Sequence, residues 1–414
     1  MLCQFIFKNF KSYRDETVFD LQATSIREYS ERLLVSEGDA KEFLPISAVY
    51  GPNAGGKSGI LEALNTLISH VMDPIKYIKH MSPSTISMKH MRCPAFAFNE
   101  WSRQEPTEFT IFFRHGAYEF GYTLALLNGR IVFESLYRKK IGRGGAAKVF
   151  ERDLDKVTLG SALTSNKKSV NVEVNPQMPY LSFLSLTYNF DIINVAIEWF
   201  SECLFINYAN LSGSLLRVLA TEEDVEKTRV INMMQEMDIP ISDYIIEYKD
   251  EAKEEINKIY LVRMLAGKEY KLNLLEESGG TRKLFGLLPL ILITLSVGGL
   301  LAVDELDAYL HPKLLRYVIK LFTDKSINKE NAQLVFSSHD ISTMKNDLFR
   351  RDEIWFASKN DEGASTIYSL YDIRKPNGEH VKSTEPFDKQ YLEGRYGADP
   401  YLSEMLSPTW EDSI

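Results

Sequence analysis

The chain reads as an α/β protein with a β-rich N-terminal part and a compact inserted α+β segment. Three observations predict this. The segment GPNAGGKS, Gly51 to Ser58, lies between a short apolar run and an amphipathic stretch. Residues 107–137 alternate apolar and polar side chains, with turn pairs at His115-Gly116 and Asn128-Gly129. The last third alternates strand-like and helix-like segments, as β/α units do.

In chain order, LCQFIFKNF at 2–10 predicts a strand by its alternation. Ile46 to Tyr50 predicts a short buried strand, and Lys57 to Val71 the helix after the loop. A β-meander is expected over 107–137. Residues 139–175 are polar, with Gly142, Gly144 and Gly145 among Lys and Arg, and predict a surface loop or small hairpin. A helical stretch is expected over 190–237, then strands within 241–251 and 256–265. The final part predicts helix 281–296, strand 299–303, helix 312–323, strand 332–337, helix 340–347 and strands 352–357 and 366–371. The implied units are 1–75 with the Gly-rich loop, 76–138 with the meander, 139–270 as a basic loop and lid insertion, 271–375 as the second half of the α/β unit, and 376–414 as a tail.

Composition narrows the class. The 414 residues are 44% hydrophobic and 25% charged, enough for a large core. A net charge of -9 argues against a chain coated in nucleic acid, although a local basic groove would be hidden in that sum. Cys3, Cys93 and Cys203 form no CxxC pair, so neither a zinc hook nor a disulfide framework is indicated, and a reducing cytoplasm fits. The N-terminal apolar stretch is too short for a signal peptide. Leu284 to Val303 carries no charge over twenty residues, the length of a membrane helix. Gly298-Gly299 divides it, however, and the four residues after the break would span only about 13 Å as a strand. A buried helix followed by a buried strand is expected, and no membrane.

The Gly-rich loop carries the first chemical signal. GPNAGGKS matches G-x-x-x-x-G-K-[ST], preceded by a strand and followed by a helix. Gly51, Gly55 and Gly56 allow the chain through Pro52, Asn53 and Ala54 to curl so that the backbone N–H groups from Asn53 onward face phosphates, and the helix that opens at Lys57, Ser58 and Gly59 adds its positive N-terminus. Lys57 would neutralise the β and γ phosphates of ATP, and Ser58 would bind Mg²⁺. The second signal is GGLLAVDE, an apolar strand ending in Asp304-Glu305. Asp304 at a strand tip suits Mg²⁺, directly or through water, and Glu305 suits a base that polarises the attacking water.

With these motifs in order, the chain resembles an ABC-type ATPase head, the P-loop NTPase class that includes the structural-maintenance-of-chromosomes and overcoming-lysogenization-defect families. ESGGTRKLFGLLPLI resembles the signature motif, with Ser278, Gly279 and Gly280 at its core. It departs from the transporter form by Glu277 before the serine and Thr281 after the glycines. LDAYLHP resembles the D-loop through Asp307, and LVFSSHD the switch strand, whose His339 matches the γ-phosphate-sensing histidine. FKNFKSYRDE resembles the opening of these heads, with Lys11 at the usual arginine. Gln177 is the candidate Q-loop metal ligand by position, with Gln104 as its rival. The whole pattern is similar to the single-head AAA ATP-binding proteins of prokaryotic anti-phage operons.

That resemblance implies a homodimer with two ATP molecules sandwiched between subunits, each signature motif facing the nucleotide of the other copy. It also implies a separate effector protein, a nuclease or toxin, because the chain has no room for a Toprim nuclease after His339 and lacks the long heptads of chromosome-maintenance heads. A second reading is a DNA repair or recombination ATPase that clamps nucleic acid, resting on Lys139, Lys140, Arg143, Lys148, Lys167 and Lys168. A solvated loop explains the same charges. A transporter subunit is disfavoured by the signature variant and the β-meander. His70, His80 and His90 fall ten apart but are expected on separate surfaces, because Pro74 and Pro83 should interrupt a helix.

Overall fold

The computed structural model describes residues 1–36, 38–80, 93–163, 169–206, 224–249, 256–375 and 377–398. The chain begins with β1 (Leu2–Lys8) and β2 (Thr17–Asp20), then a small ribbon of β3 (Leu34–Val35) and β4 (Glu42–Phe43). β5 (Ile46–Tyr50) leads through the Gly-rich loop into α1 (Lys57–His80). The meander is β6 (Thr107–His115), β7 (Tyr118–Leu127) and β8 (Arg130–Lys140), extended by β9 (Ala147–Asp153) and β10 (Lys156–Leu159). Then come α2 (Tyr180–Thr187), α3 (Asp191–Ser201), β11 (Cys203–Ile206) and α4 (Asp224–Glu236). A three-stranded sheet of β12 (Asp243–Tyr248), β13 (Ile256–Leu265) and β14 (Lys268–Asn273) precedes α5 (Gly279–Val297) and β15 (Leu300–Val303). The chain continues through α6 (Pro312–Thr323), β16 (Gln333–Ser337), β17 (Ile354–Lys359), β18 (Ser365–Ser369) and α7 (Phe387–Leu392).

The central sheet has the order β11-β15-β16-β5-β17-β18, parallel except for β18. Its inner strands β5, β15 and β16 are buried at every position because both faces are covered. Leu300 and Ala302 join one core with α1 to α3 and the antiparallel sheet, while Leu301 and Val303 join the other with α4, α5 and α6. The antiparallel sheet runs β10-β9-β8-β7-β6-β1-β2, and its inward aromatics Phe5, Phe109 and Phe113 lie in the first core.

The 139–270 span, expected as one insertion, is divided among four places, with α2 and α3 packed beside α1 in the first core. β9 and β10 form a hairpin that continues the antiparallel sheet, within the stretch expected as a surface loop or small hairpin. β11 is an edge strand of the central sheet, paired with β15, within the 190–237 stretch that was expected to be helical. Only α4 and β12–β14 form a layer of their own, packed on α5 through Met234, Leu261 and the edge-on pair Tyr244–Phe285. The expected helix 340–347 is a single short turn, Ile341–Thr343. Asp340 caps this turn, its carboxylate accepting the Ser342 N–H and hydroxyl, and the turn ends where Met344 leaves helical geometry at φ -71 and ψ 73.

α1 does not stop at Pro74 but runs through it to His80. The Ser182 hydroxyl donates to the Val71 carbonyl (2.7 Å), which ties α2 to α1 three residues before the proline. His70 is buried and bonded to the Thr66 carbonyl (2.7 Å); His90, Lys167 and Lys168 lie outside the described residues, as does the side chain of His80. Among the described residues no cluster of His, Cys, Asp and Glu could hold a metal ion. α5 is long and apolar enough to cross a membrane, but Leu284, Phe285, Leu287, Leu288 and Ile291 are buried in the second core. It ends at Gly298, which takes φ 71, and β15 begins two residues later.

Candidate functional site

The site forms where β5, β15 and β16 end side by side. The loop after β5 depends on glycine at two points. Gly51 has φ 144, and a Cβ there would sit 2.1 Å from the Ala357 carbonyl oxygen; Gly56 has φ 117, and a Cβ there would sit 2.6 Å from Ser365 Oγ. The loop closes on Lys57, whose ammonium donates to the carbonyls of Gly51 (2.9 Å) and Pro52 (3.0 Å). Burial lowers the Lys57 pKa, opposed by the negative charges of Asp304, Glu305 and Asp307. A buried cation satisfied only by carbonyls, at the start of a long helix, is a receptor for an anion. Asn53 and Ala54 are exposed at the loop tip, while Gly55 and Gly59 are buried beneath it.

Asp304 stands at the tip of β15, where its N–H donates to Ile206 O on β11 (3.0 Å). Two hydroxyls converge on its Oδ1: Ser58 at 3.0 Å and Ser337 at 2.5 Å. An anionic carboxylate with hydroxyls from two other elements is the hard-oxygen donor set that Mg²⁺ prefers, so the residues fit that ion. Glu305 follows with φ 51, a strained value for a side chain of its size. Its N–H donates to Ser337 Oγ (2.7 Å) and its carboxylate is more than half exposed. His339 Nε2 lies 3.9 Å from Glu305 Oε1, and the His339 N–H donates to Asp307 Oδ1 (3.1 Å). The sequence-predicted Ser58, Asp304, Glu305, Asp307 and His339 are therefore brought together.

The signature segment forms the start of α5. Ser278 caps the helix, its Oγ accepting the Thr281 N–H (3.2 Å). Glu277, just before it, is clamped by Arg263 of β13 through two hydrogen bonds of 2.5 and 3.0 Å. Gly279 and Gly280 lie against Tyr309: a Cβ would be 3.0 Å from its ring at the first and 2.8 Å from its carbonyl oxygen at the second. Farther along the same helix, buried Lys283 donates to the Glu305 carbonyl (2.7 Å). Burial brings its pKa down to about 8, against the pull of Asp307 and Glu305.

Lys11 lies beside the loop, with φ 51, its N–H on Pro94 O (2.9 Å) and its ammonium paired with Glu62 in the second turn of α1. Gln177 is not brought to this group. It is exposed in the turn before α2, held to the meander by the Pro176 carbonyl, which accepts the Ile131 N–H (2.9 Å). α2 itself meets α1 at Val71, about 21 Å along the helix from Lys57. Gln104 is likewise exposed, its N–H closing a short turn onto Trp101 O. Gln177 therefore does not take the expected metal-ligand position.

Three further residues belong to the site. Tyr13 is fully buried and donates to the Gly56 carbonyl (3.0 Å), Ser337 joins Asp304 to Glu305, and Lys283 joins α5 to Glu305. Tyr13 and Ser337 lie inside the quoted FKNFKSYRDE and LVFSSHD segments, but their partners are distant in sequence.

The sequence model of the family described as "AAA domain, putative AbiEii toxin, Type IV TA system" matches residues 46–345, well over half of the chain. No curated protein matches. Solved structures similar to this chain include a structural-maintenance-of-chromosomes head bound to the C-terminal winged-helix domain of ScpA. It is 13% identical, covers 89% of this chain and 97% of its own, and has a TM-score of 0.45. The head domain from Thermotoga maritima is 13% identical, with coverages of 89% and 98% and a TM-score of 0.43. A head with an extended coiled coil bound to the C-terminal domain of ScpA, derived from Pyrococcus furiosus, is 12% identical, with coverages of 89% and 96% and a TM-score of 0.39.

Proposed function

The chain belongs to this AAA-domain family, and from that premise we propose that it is a cytoplasmic switch ATPase that dimerises around ATP and regulates a separate effector protein in anti-phage defence. The observation that carries the ATPase reading is the meeting of Ser58 and Ser337 on Asp304, with Glu305 next in the chain. Membership of a family described as putative toxins of a type IV toxin–antitoxin system supports a second protein acting with this one.

The chemistry follows from placement. The loop N–H groups and Lys57 hold the β and γ phosphates, with Ser58 and Asp304 as the magnesium ligands. Mg²⁺ held there would neutralise charge on the phosphate oxygens. Glu305, exposed and anchored through its backbone, accepts a proton from water as that oxygen bonds to the γ phosphorus and the bond to the β-phosphate oxygen breaks. His339, beside it, donates to the γ-phosphate oxygens. Ser278, Gly279 and Gly280 of a second copy complete the site, so ATP holds the two chains together and its hydrolysis releases them.

Glu305→Gln tests this reading. The variant should bind ATP as the wild type does, elute as a dimer with ATP and Mg²⁺ in light-scattering chromatography, and lose nearly all turnover. Hydrolysis at the wild-type rate would remove Glu305 from the role of base.

A second reading, a nucleic-acid clamp, is supported by exposed Lys140 and Arg143 at the turn after β8. It requires ATP-dependent DNA binding that weakens with salt and is lost when Lys139, Lys140 and Arg143 are all changed to Glu.

A further inference from the structure

Glu305 is held at both ends of its backbone by elements far apart in the chain. Its N–H is fixed by Ser337 on β16, and its carbonyl accepts Lys283 from α5 (2.7 Å) as well as the Ala308 N–H within its own turn (3.0 Å). Its φ of 51 needs such clamping, because a glutamate does not rest there by preference. Lys283 lies five residues after Ser278 and is only 2% exposed. The same stretch of α5 touches the Glu305–Tyr309 turn a second time, where Gly279 and Gly280 meet Tyr309. The signature segment is thus packed as one unit with the turn that carries the glutamate of its own subunit. A shift at Ser278 moves Lys283 with it, because a helix is stiff over one turn and the Lys283 ammonium is enclosed.

We propose that Lys283 is a positioning residue for Glu305, coupling the signature motif to the glutamate of the same chain. Resting on the ATPase reading above, this gives the dimer a direct route between its two sites. The nucleotide of one copy, gathered at Ser278 of the other, sets the Glu305 carboxylate that works on the second nucleotide. The first link is the helix, the second is one hydrogen bond, and no effector is needed.

The experiment compares Lys283→Met, Lys283→Arg and wild type, each alone and with E305Q, in steady-state ATP hydrolysis with Mg²⁺. K283M should lower kcat about 10- to 100-fold with KM within about threefold, since positioning acts on the transition state and not on binding. K283R, which keeps a cationic donor, should retain at least about a third of the wild-type kcat. In the E305Q background K283M should change the residual rate by less than about twofold, because the residue it positions is already disabled. Equal losses in both backgrounds, a loss expressed in KM, or a K283R that folds yet is as slow as K283M would overturn the proposal. If K283M fails to fold, the folded K283R protein decides by the same kcat and KM criteria. Failure of the underlying reading looks different: E305Q would then turn over at the wild-type rate, whatever Lys283 does.

Discussion

Ser337 Oγ on β16 lies 2.5 Å from Asp304 Oδ1 at the tip of neighbouring β15. The same oxygen accepts the Glu305 N–H at 2.7 Å. One hydroxyl therefore sets the direction of the proposed metal ligand and the backbone of the proposed base. Parallel register makes this possible, since Val303 pairs with Phe336 and the next residues emerge together.

Ser337→Ala removes a donor to an anion and leaves the Glu305 N–H without its partner. Each such loss costs about 1–3 kcal/mol when buried, which corresponds to roughly 10- to 100-fold in rate if it falls on the transition state. The expected result is a kcat reduced by that factor with the ATP dissociation constant changed less than about threefold. Wild-type turnover in the variant would show that Asp304 and Glu305 are held without Ser337.

Lys57→Ala should abolish nucleotide binding and leave the fold intact. The ammonium is the buried positive charge at the loop, and the carbonyls of Gly51 and Pro52 that now accept it cannot bind phosphate in its place. Calorimetric titration should show ATP affinity reduced by at least about 100-fold, the scale expected for loss of a charge-assisted contact in a partly buried site. An unchanged far-ultraviolet circular dichroism spectrum would separate this from unfolding. Wild-type affinity in K57A would remove Lys57 from the phosphate site.

The loop glycines can be tested against a glycine elsewhere. Gly51→Ala places a methyl 2.1 Å from a backbone oxygen at φ 144, so both sterics and backbone oppose it. Gly145→Ala meets no atom within 4 Å and has no left-handed φ. Thermal or urea unfolding should show G51A destabilised by at least about 2 kcal/mol and G145A within about 0.5 kcal/mol of wild type. Equal stabilities would mean that the Gly51–Ala357 contact is easily relieved.

The local signals explain how much of this architecture was legible beforehand. β5, the loop and the start of α1 are adjacent in the chain, and their residue types follow from one local geometry. The meander announced itself through alternation, and β15 through a short apolar run with acids at its end. β11 escaped because CLFI follows the amphipathic α3 without a Gly or Pro break, and only its partner β15 makes it a strand. β14 escaped because KEYKLN is almost wholly exposed and carries no apolar face to read. Tyr13, Lys283 and Ser337 act through partners 43, 22 and 33 residues away, and no spacing rule reports such distances. Gln177 shows the converse, since its position between the two acidic and phosphate motifs suggested a contact that the docking of α2 on α1 does not make.

Glu353 offers a stability test away from the site. It is fully buried in the short turn just before β17, with Oε2 accepting the Arg350 N–H (2.8 Å) and Oε1 lacking a hydrogen-bond partner. Burial raises its pKa to about 8, and the neighbouring Asp352 charge pushes the same way. A carboxyl whose pKa is higher folded than unfolded holds its proton more tightly in the native state. Its stabilising contribution is complete below the unfolded value near 4.5 and is lost as pH rises towards and through 8. Glu353→Gln keeps the acceptor and removes the ionisation. The melting temperature of the wild type should therefore fall more steeply between pH 5 and pH 8.5 than that of E353Q, with the variant the more stable of the two at the alkaline end. Parallel melting curves across that range would show that Glu353 does not titrate with folding.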